Sequence, residues 1–396
     1  MAKDESVACP LQRIILERED IDELNFVVNA ILEANLERYQ HFTDISDSKI
    51  NLKAWKYIKT KDQIKVYAER QQKRRRSPFR ASPVNYELQS MLCFGSTLGT
   101  LDDVMLGILG PSFEATRTQN SYVDDCSGSA VLSIAEAPSA EEPFQSVVVN
   151  WMELDFRRRS MGMVKNRDYV YVEATGIKKL SNGGRLGYRL MHSVDFPQAH
   201  VLEERVRAKF SVCCFFRQEN ESSVSVYMMW MMEPMAAGVR RLMAPRFVKK
   251  LLSPLKYAYY GEMKKLTQAL EDRYAELKTT KSRDPGHNCT ACSKHLGRLG
   301  KLLGHHSTCK RCFRHVCSSC KVDKDMSFVT LELKMAQRKV TFCPPCVNDA
   351  AVRLSPELSR VEIQSSAYRR HHSAGSSVSS SGWNTMLEDD PQPIMR

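Results

Sequence analysis

Between Asp20 and Phe42 apolar residues recur at three- and four-residue steps, at Ile21, Leu24, Val27, Ile31 and Leu32. This spacing places them on one face of an amphipathic helix, with Asp20 as the candidate cap and Glu23 three residues later. From Tyr86 to Met232 the period shortens. Val206, Ala208, Phe210, Val212 and Cys214 alternate with Arg207, Lys209, Ser211 and Cys213, the signature of a strand with one buried face. Ser223–Met232 repeats it, with Val224, Val226, Met228 and Trp230 on one side. Further strands are expected at Ser146–Leu154, Tyr169–Ala174 and Gly187–Ser193, the last entered through the turn Ser181-Asn182-Gly183-Gly184. These strands add up to an antiparallel sheet. From Arg246 to Leu277 the helical period returns, with Val248, Leu251, Leu252, Leu255, Ala258, Met263, Leu266 and Leu270 forming a broad apolar stripe. Pro254 is expected to kink it.

Two stretches break the periodicity. Lys73, Arg74, Arg75 and Arg76, followed by Ser77-Pro78 and Ser82-Pro83, form a basic, proline-punctuated loop whose ordinary reading is a solvated or phosphorylation-tuned segment. Beyond Leu354 the chain is serine-rich and lacks the apolar surface to fold. The expected organisation is an amino-terminal helical segment at 1–46, a sheet-containing domain at 47–278, a cysteine-rich module at 279–352 and a disordered tail at 353–396. The fold class is α+β.

No apolar run approaches the roughly 20 residues that cross a bilayer, and Met1–Pro10 has no apolar stretch behind Lys3, Asp4 and Glu5. The expected location is therefore the cell interior. There thiolates bind metal more readily than they form disulfides, which decides how the 13 cysteines are read. Cys9, Cys93, Cys126, Cys213 and Cys214 are scattered without ligand spacing and carry no assigned role. The other eight form four Cys-x-x-Cys pairs: Cys289/Cys292, Cys309/Cys312, Cys317/Cys320 and Cys343/Cys346. One tight turn supplies two thiolates and zinc takes four, so eight make two closed, structural zinc sites. Spacing alone leaves open which pairs share an ion. The formal charge of +12 implies an anionic partner, a lipid surface or nucleic acid. No nucleophile triad, phosphate-cradling glycine loop or His-Glu-x-x-His helix is present, so no enzymatic activity is expected. Arg167 and Asp168 are adjacent on a strand and point to opposite faces, which argues against a shared catalytic role.

The stretch from about Leu52 to Ala275 resembles a START (steroidogenic-acute-regulatory-related lipid transfer) domain of the helix-grip fold. The residues that carry the resemblance are Trp55 with Val66-Tyr67, then Asn166-Arg167-Asp168-Tyr169-Val170-Tyr171-Val172, then Glu233-Pro234 and Gly238 ahead of the final helix. The resemblance implies a curved antiparallel sheet around a carboxy-terminal helix, enclosing a hydrophobic lipid. The stripe Met228, Trp230 and Met232 reads first as packing and second as pocket lining.

Four residues separate Cys312 from Cys317, and a longer gap precedes Cys343. This resembles a FYVE finger, a cross-brace family. The resemblance implies interleaved pairing, with Cys289, Cys292, Cys317 and Cys320 on one ion and Cys309, Cys312, Cys343 and Cys346 on the other. It also implies docking on phosphatidylinositol 3-phosphate, and so a cytoplasmic protein peripheral on endosomal membranes. The sequence departs from the family's basic motif. Two residues separate His305-His306 from Cys309, the preceding arginines are missing, Trp-x-x-Asp is absent before Cys289, and Phe313 stands where glycine is usual. What remains is a basic, partly apolar surface. Lys281–Ala350 holds 13 Lys plus Arg against 5 Asp plus Glu. The candidate membrane contacts are Arg298, Lys301, Leu302, Leu303, His305, His306, Lys310 and Arg311, beside Leu299. Other readings are a RING-like ubiquitin ligase and a protein-interaction adaptor. Nucleic acid draws on charge alone, because the finger shows no aromatic interleaving or recognition helix.

Overall fold

A computed structural model of the chain describes residues 9–45, 48–70, 89–110, 118–119, 121, 128–154, 164–233, 237–277, 287–296, 306–329, 335–353, 355 and 357–358. The basic loop at Lys73–Arg76, Cys126 and the serine-rich tail from 359 lie outside the described residues. The described residues divide into two compact units, one ending at Tyr259 and one running from Tyr260 onward. Among the described residues no helix is long and apolar enough to cross a membrane.

Helix α1 spans Arg18–Gln40 and starts earlier than its sequence pattern indicates. Glu17 takes the cap position, and its backbone N–H donates to Asp20 Oδ2 at 2.9 Å. Asp20 therefore serves from inside the first turn, where a carboxylate also meets the positive end of the helix dipole. The buried face is Leu24, Val28, Leu32, Asn35 and Tyr39. Val28 replaces the expected Val27 because a four-residue step tracks the contact line better than a three-residue one. Helix α2 spans Leu101–Ile108 and is capped by Thr100, whose Oγ1 accepts from the Asp103 N–H at 3.1 Å.

The sheet contains β1 (Trp55–Lys61), β2 (Ile64–Glu69), β3 (Gln89–Leu98), β4 (Gly128–Glu136), β5 (Ser146–Leu154), β6 (Asn166–Lys179), β7 (Arg185–Ser193), β8 (Arg205–Arg207), β9 (Phe210–Asn220) and β10 (Ser223–Met232). Its order is β1-β2-β3-β10-β9-β7-β6-β5-β4, with β8 pairing β6. Every pairing is antiparallel except β6 with β8. The expected strands at Ser146–Leu154 and Ser223–Met232 form with those bounds. The stretch Val206–Cys214 does not form one strand. It breaks between β8 and β9, where the Ala208 N–H donates to the Asp168 carbonyl at 3.0 Å and Arg207 turns to the Asp168 carboxylate.

Nor does β9 have one buried face. Cys213, placed on the solvent side by the alternation, is 1% exposed. The reason is α1: Leu24, Val28, Leu32 and Tyr39 share a core with Trp151, Val172, Leu190, Cys213, Phe215 and Tyr227. The ring of Tyr39 lies 5.1 Å from that of Phe215 and 5.4 Å from that of Tyr227. Covering the second face turns alternating strands into nearly continuous buried ones, and β5 is buried at every position.

The carboxy-terminal stripe is also interrupted. Helix α3 (Ala237–Leu251) ends, a 3₁₀ turn covers Ser253–Lys256, and α4 runs Tyr257–Leu277. Pro254 sits in the 3₁₀ turn, so it separates two helices where a kink was expected. It has no N–H for the i→i−4 bond that would join them.

Candidate functional site

The second compact unit holds β11 (His306–Thr308) paired with β12 (His315–Cys317), β13 (Val322–Val329) paired with β14 (Met335–Phe342), and α5 (Pro344–Ala351). Its cysteines gather into two groups, Cys289/Cys292/Cys317/Cys320 and Cys309/Cys312/Cys343/Cys346, each with all sulfurs within 4.8 Å of one another. The groups are interleaved along the chain. Cys292 Sγ lies 3.9 Å from Cys317 Sγ, and Cys312 Sγ lies 3.8 Å from Cys343 Sγ. A tetrahedron with metal–sulfur arms of about 2.3 Å has edges near 3.8 Å, so the donor set fits a tetrahedral thiolate site. Each group can hold one metal ion.

Both groups are built by the same local device. In the first, the Ser293 N–H donates to the Cys289 carbonyl at 2.9 Å and the Cys289 N–H to the Lys294 carbonyl at 2.8 Å. In the second, the Phe313 N–H donates to the Cys309 carbonyl at 2.9 Å and the Cys309 N–H to the Arg314 carbonyl at 3.0 Å. Ser293 and Phe313 close the turns in the left-handed region, with φ of 58° and 60°. Each turn is then tied to the strand entering its partner pair. The Thr290 N–H donates to the His315 carbonyl, two residues before Cys317, at 3.0 Å. The Lys310 N–H donates to the Thr341 carbonyl, two residues before Cys343, at 2.9 Å. These ties are what interleave the pairs.

The repetition extends to side chains. Asn288 Oδ1 and His295 Nδ1 lie 3.1 Å apart, and Thr308 Oγ1 and His315 Nδ1 lie 3.4 Å apart. The matching segments read Asn288-Cys-Thr-Ala-Cys-Ser-Lys-His295 and Thr308-Cys-Lys-Arg-Cys-Phe-Arg-His315. The cysteine spacing alone did not bring out this internal repeat. The shared Lys/Arg-His step after each pair was the signal that could have.

Electrostatics favour a thiolate at some sulfurs of each group and a thiol at others. Burial pushes the Cys289 thiol up, but the N–H groups of Cys317, Cys292 and Ala291 outweigh it and bring it down to about 6. The Cys317 N–H lies 3.4 Å from that sulfur. Cys309 is held low by its contacts with Cys312 and Cys346, while Cys346 is pushed up by Cys309 and Cys312. Crowded thiols share their protons unequally, and a thiolate is the ligand form.

Of the candidate membrane contacts, Arg298, Lys301, Leu302, Leu303 and His305 lie outside the described residues. His306 is in β11, in register with Cys317. Lys310 is half-buried beside Cys309. Arg311 is committed inward: it pairs with Asp349 and donates from Nη1 to the Cys346 carbonyl at 3.4 Å. The end of α4 belongs to this unit. Buried Lys265 donates from Nζ to the Ala351 carbonyl at 3.0 Å, Lys324 pairs with Glu262 at 2.7 Å, and Arg353 pairs with Asp272.

In the first unit, the sheet face opposite α1 carries a buried polar cluster that the strand pattern did not reveal. Val172 and Ala174 on β6 join the α1 core, so Glu173 between them points the other way. Glu173 pairs with Arg189 Nε at 2.8 Å and accepts from Asn150 Nδ2 at 3.0 Å. Arg189 Nη1 donates to Tyr257 Oη at 2.9 Å, and Ser253 Oγ lies 2.8 Å from that hydroxyl. Burial alone lowers a guanidinium pKa; the Glu173 carboxylate outweighs it and holds Arg189 above its usual value. Around the cluster stand Val148, Met152, Phe216, Met228, Trp230 and Met232, all buried. Among the described residues, Asn150 Oδ1 and Trp230 Nε1 are buried without a hydrogen-bond partner. On the α1 side Asp168 pairs with Arg207 at 2.8 Å and accepts from Trp151 Nε1 at 3.2 Å, which pins β8. Arg167 takes no part in that pair.

No protein-family profile matches the chain. No curated protein matches it either. Similar solved structures do exist, and they are START proteins. Human STARD10 is 11% identical, with 64% of this chain and 86% of that chain covered at a TM-score of 0.37. Human StAR-related lipid transfer protein 5 is 13% identical over 59% of this chain and 97% of that chain, at a TM-score of 0.39. A STAR-related lipid transfer protein fragment from Xanthomonas axonopodis is 16% identical over 52% of this chain and 96% of that chain, at a TM-score of 0.35. These are likenesses of architecture, at low identity.

Proposed function

We propose that the protein is a non-enzymatic lipid-binding protein: the sheet unit receives a hydrophobic lipid, and the cysteine-rich unit, carrying two structural zinc ions, docks on phosphoinositide-bearing membranes such as the endosomal surface. The lipid half rests on the sheet face opposite α1. There the buried ion pair Arg189–Glu173 stands among apolar side chains and, among the described residues, Asn150 Oδ1 and Trp230 Nε1 have no hydrogen-bond partner. Buried polar atoms are paired in nearly all proteins, and an acceptor and a donor on an apolar face suit the polar end of an otherwise apolar ligand.

The single observation that carries the zinc half is the interleaved gathering of eight sulfurs into two closed groups. When bound, zinc supplies the cross-link that a unit this small needs, on the order of 10 to 16 kcal/mol per ion. Cys289, Cys292, Cys317 and Cys320 would hold one ion, and Cys309, Cys312, Cys343 and Cys346 the other. With four thiolates each, neither leaves an open position for catalysis. Docking is supported by the basic surplus of this segment and by the exposed Lys294 and Arg314, which occupy matching positions of the repeat. Arg311 is assigned to the finger's own architecture, and Lys310, with the expected contacts Arg298, Lys301, Leu302, Leu303, His305 and His306, to the membrane side.

The test is flotation of the zinc-loaded full chain with phosphatidylcholine vesicles, with and without phosphatidylinositol 3-phosphate, together with lipid extraction from the purified protein. The reading expects a phosphoinositide-dependent increase in floated protein and one extractable lipid per chain. Equal flotation on both vesicles removes the docking half. A chain that yields no lipid and takes none up from vesicles removes the other half.

A further inference from the structure

The β1–β2 hairpin is an edge of the sheet with an unusual surface. Six lysines lie between Lys49 and Glu69, against two acidic residues, Asp62 and Glu69. Lys53, Lys56, Lys59, Lys61 and Lys65 are all exposed, and among the described residues none pairs with a carboxylate. Lysines on an edge strand have an ordinary role, since they discourage pairing with another sheet. That role does not account for the apolar side chains set between them. Leu52 is 62% exposed, Tyr57 51% and Ile58 39%.

The hairpin is a held structure. Trp55 packs against the core, and Tyr57 extends a row of rings, 5.8 Å from Tyr67, which stacks on Phe94 at 5.6 Å. Arg70 donates from Nε to the Leu52 carbonyl at 3.1 Å. At the tip, the turn Asp62-Gln63 presses its backbone onto Gly95, where an added Cβ would lie 2.1 Å from the Gln63 carbonyl oxygen. A bulge falls between Tyr57 and Lys59, so Ile58 has no cross-strand partner and is presented outward.

We infer that the β1–β2 hairpin is a membrane-docking surface separate from the finger, with Lys56, Lys59 and Lys61, which register with Ala68, Val66 and Ile64 on one face of the hairpin, toward an anionic lipid leaflet and Leu52 and Ile58 entering its interface. Unpaired ammonium groups beside exposed aliphatic side chains match a headgroup layer over hydrocarbon. A single-stranded nucleic acid would call for rings to stack on, and Leu52 and Ile58 are both aliphatic. The surface requires no phosphoinositide, only negative charge.

The test uses the zinc-loaded full chain and vesicles of phosphatidylcholine with or without phosphatidylserine, and no phosphoinositide. The expected result is that K56E/K59E/K61E binds phosphatidylserine vesicles at least about tenfold more weakly and loses most of its salt dependence. L52S/I58S weakens binding while keeping the salt dependence, and serves alone if the charge reversal fails to fold. K294E/R314E on the finger lowers the phosphoinositide-dependent increase in flotation, whereas K56E/K59E/K61E lowers binding to phosphatidylserine with no phosphoinositide present, so this surface and the finger's docking are read out separately. The inference is overturned if a folded K56E/K59E/K61E or L52S/I58S binds phosphatidylserine vesicles as the parent does. It is equally overturned if the reversal removes binding to an oligonucleotide and spares the lipid.

Discussion

The backbone N–H of Cys317 points at the sulfur of Cys289, 28 positions earlier in the chain, at 3.4 Å. This contact joins the first cysteine pair to the third and excludes a sequential arrangement. A C292S/C317S double variant therefore removes two ligands from one group and none from the other. Metal analysis of the purified protein should give one ion per chain. Sequential pairing would put one lost ligand in each site and remove both ions.

Ser293 and Phe313 close the two cysteine turns with φ near 60°. Side chains there cost about 1 to 2 kcal/mol that glycine avoids. Ser293 is exposed and loses no packing, so Ser293→Gly should stabilise the metal-loaded unit by about 1 kcal/mol. Phe313 is half-buried, and Phe313→Gly should gain less. Chemical denaturation of the two variants side by side checks the order.

Arg189 and Glu173 are buried together. Glu173→Ala leaves an unpaired guanidinium inside the unit and should cost about 3 to 5 kcal/mol. The double variant R189M/E173L removes both charges and should cost much less, while weakening uptake of a lipid with a polar head. A denaturant titration of both, followed by lipid uptake, separates stability from binding.

His192 is half-buried, and that burial together with the charge of Lys209 lowers its pKa from the ordinary value. The unfolded chain then takes the proton first. Stability contributed by the neutral ring is present above about pH 6.5 and declines as pH falls toward the lower folded value. Melting temperatures across that window should fall with pH, and less steeply in His192→Gln.

Much of this was legible in the residues. The strands Ser146–Leu154 and Ser223–Met232 were bounded by turn residues, and period two is readable when a strand is regular. Cysteine spacing identified the eight ligand candidates. What escaped was long-range. Cys213 is buried because α1, some 170 residues earlier, lies over its face, and no local pattern carries that information. Asp20 looked like a cap because the true cap, Glu17, is a poor one by composition. Arg311 read as a free cation until Asp349, at the far end of the module, was beside it. The Glu173–Arg189 pair was hidden because each residue is a single charge within an apolar run.

That the chain holds two zinc ions and one lipid is tested by native mass spectrometry of this polypeptide. The expected result is a folded species heavier than the polypeptide by two zinc ions and one lipid, with the zinc lost and the lipid kept on mild chelation. A folded species at the bare polypeptide mass, with neither zinc nor lipid taken up when both are supplied, would contradict it.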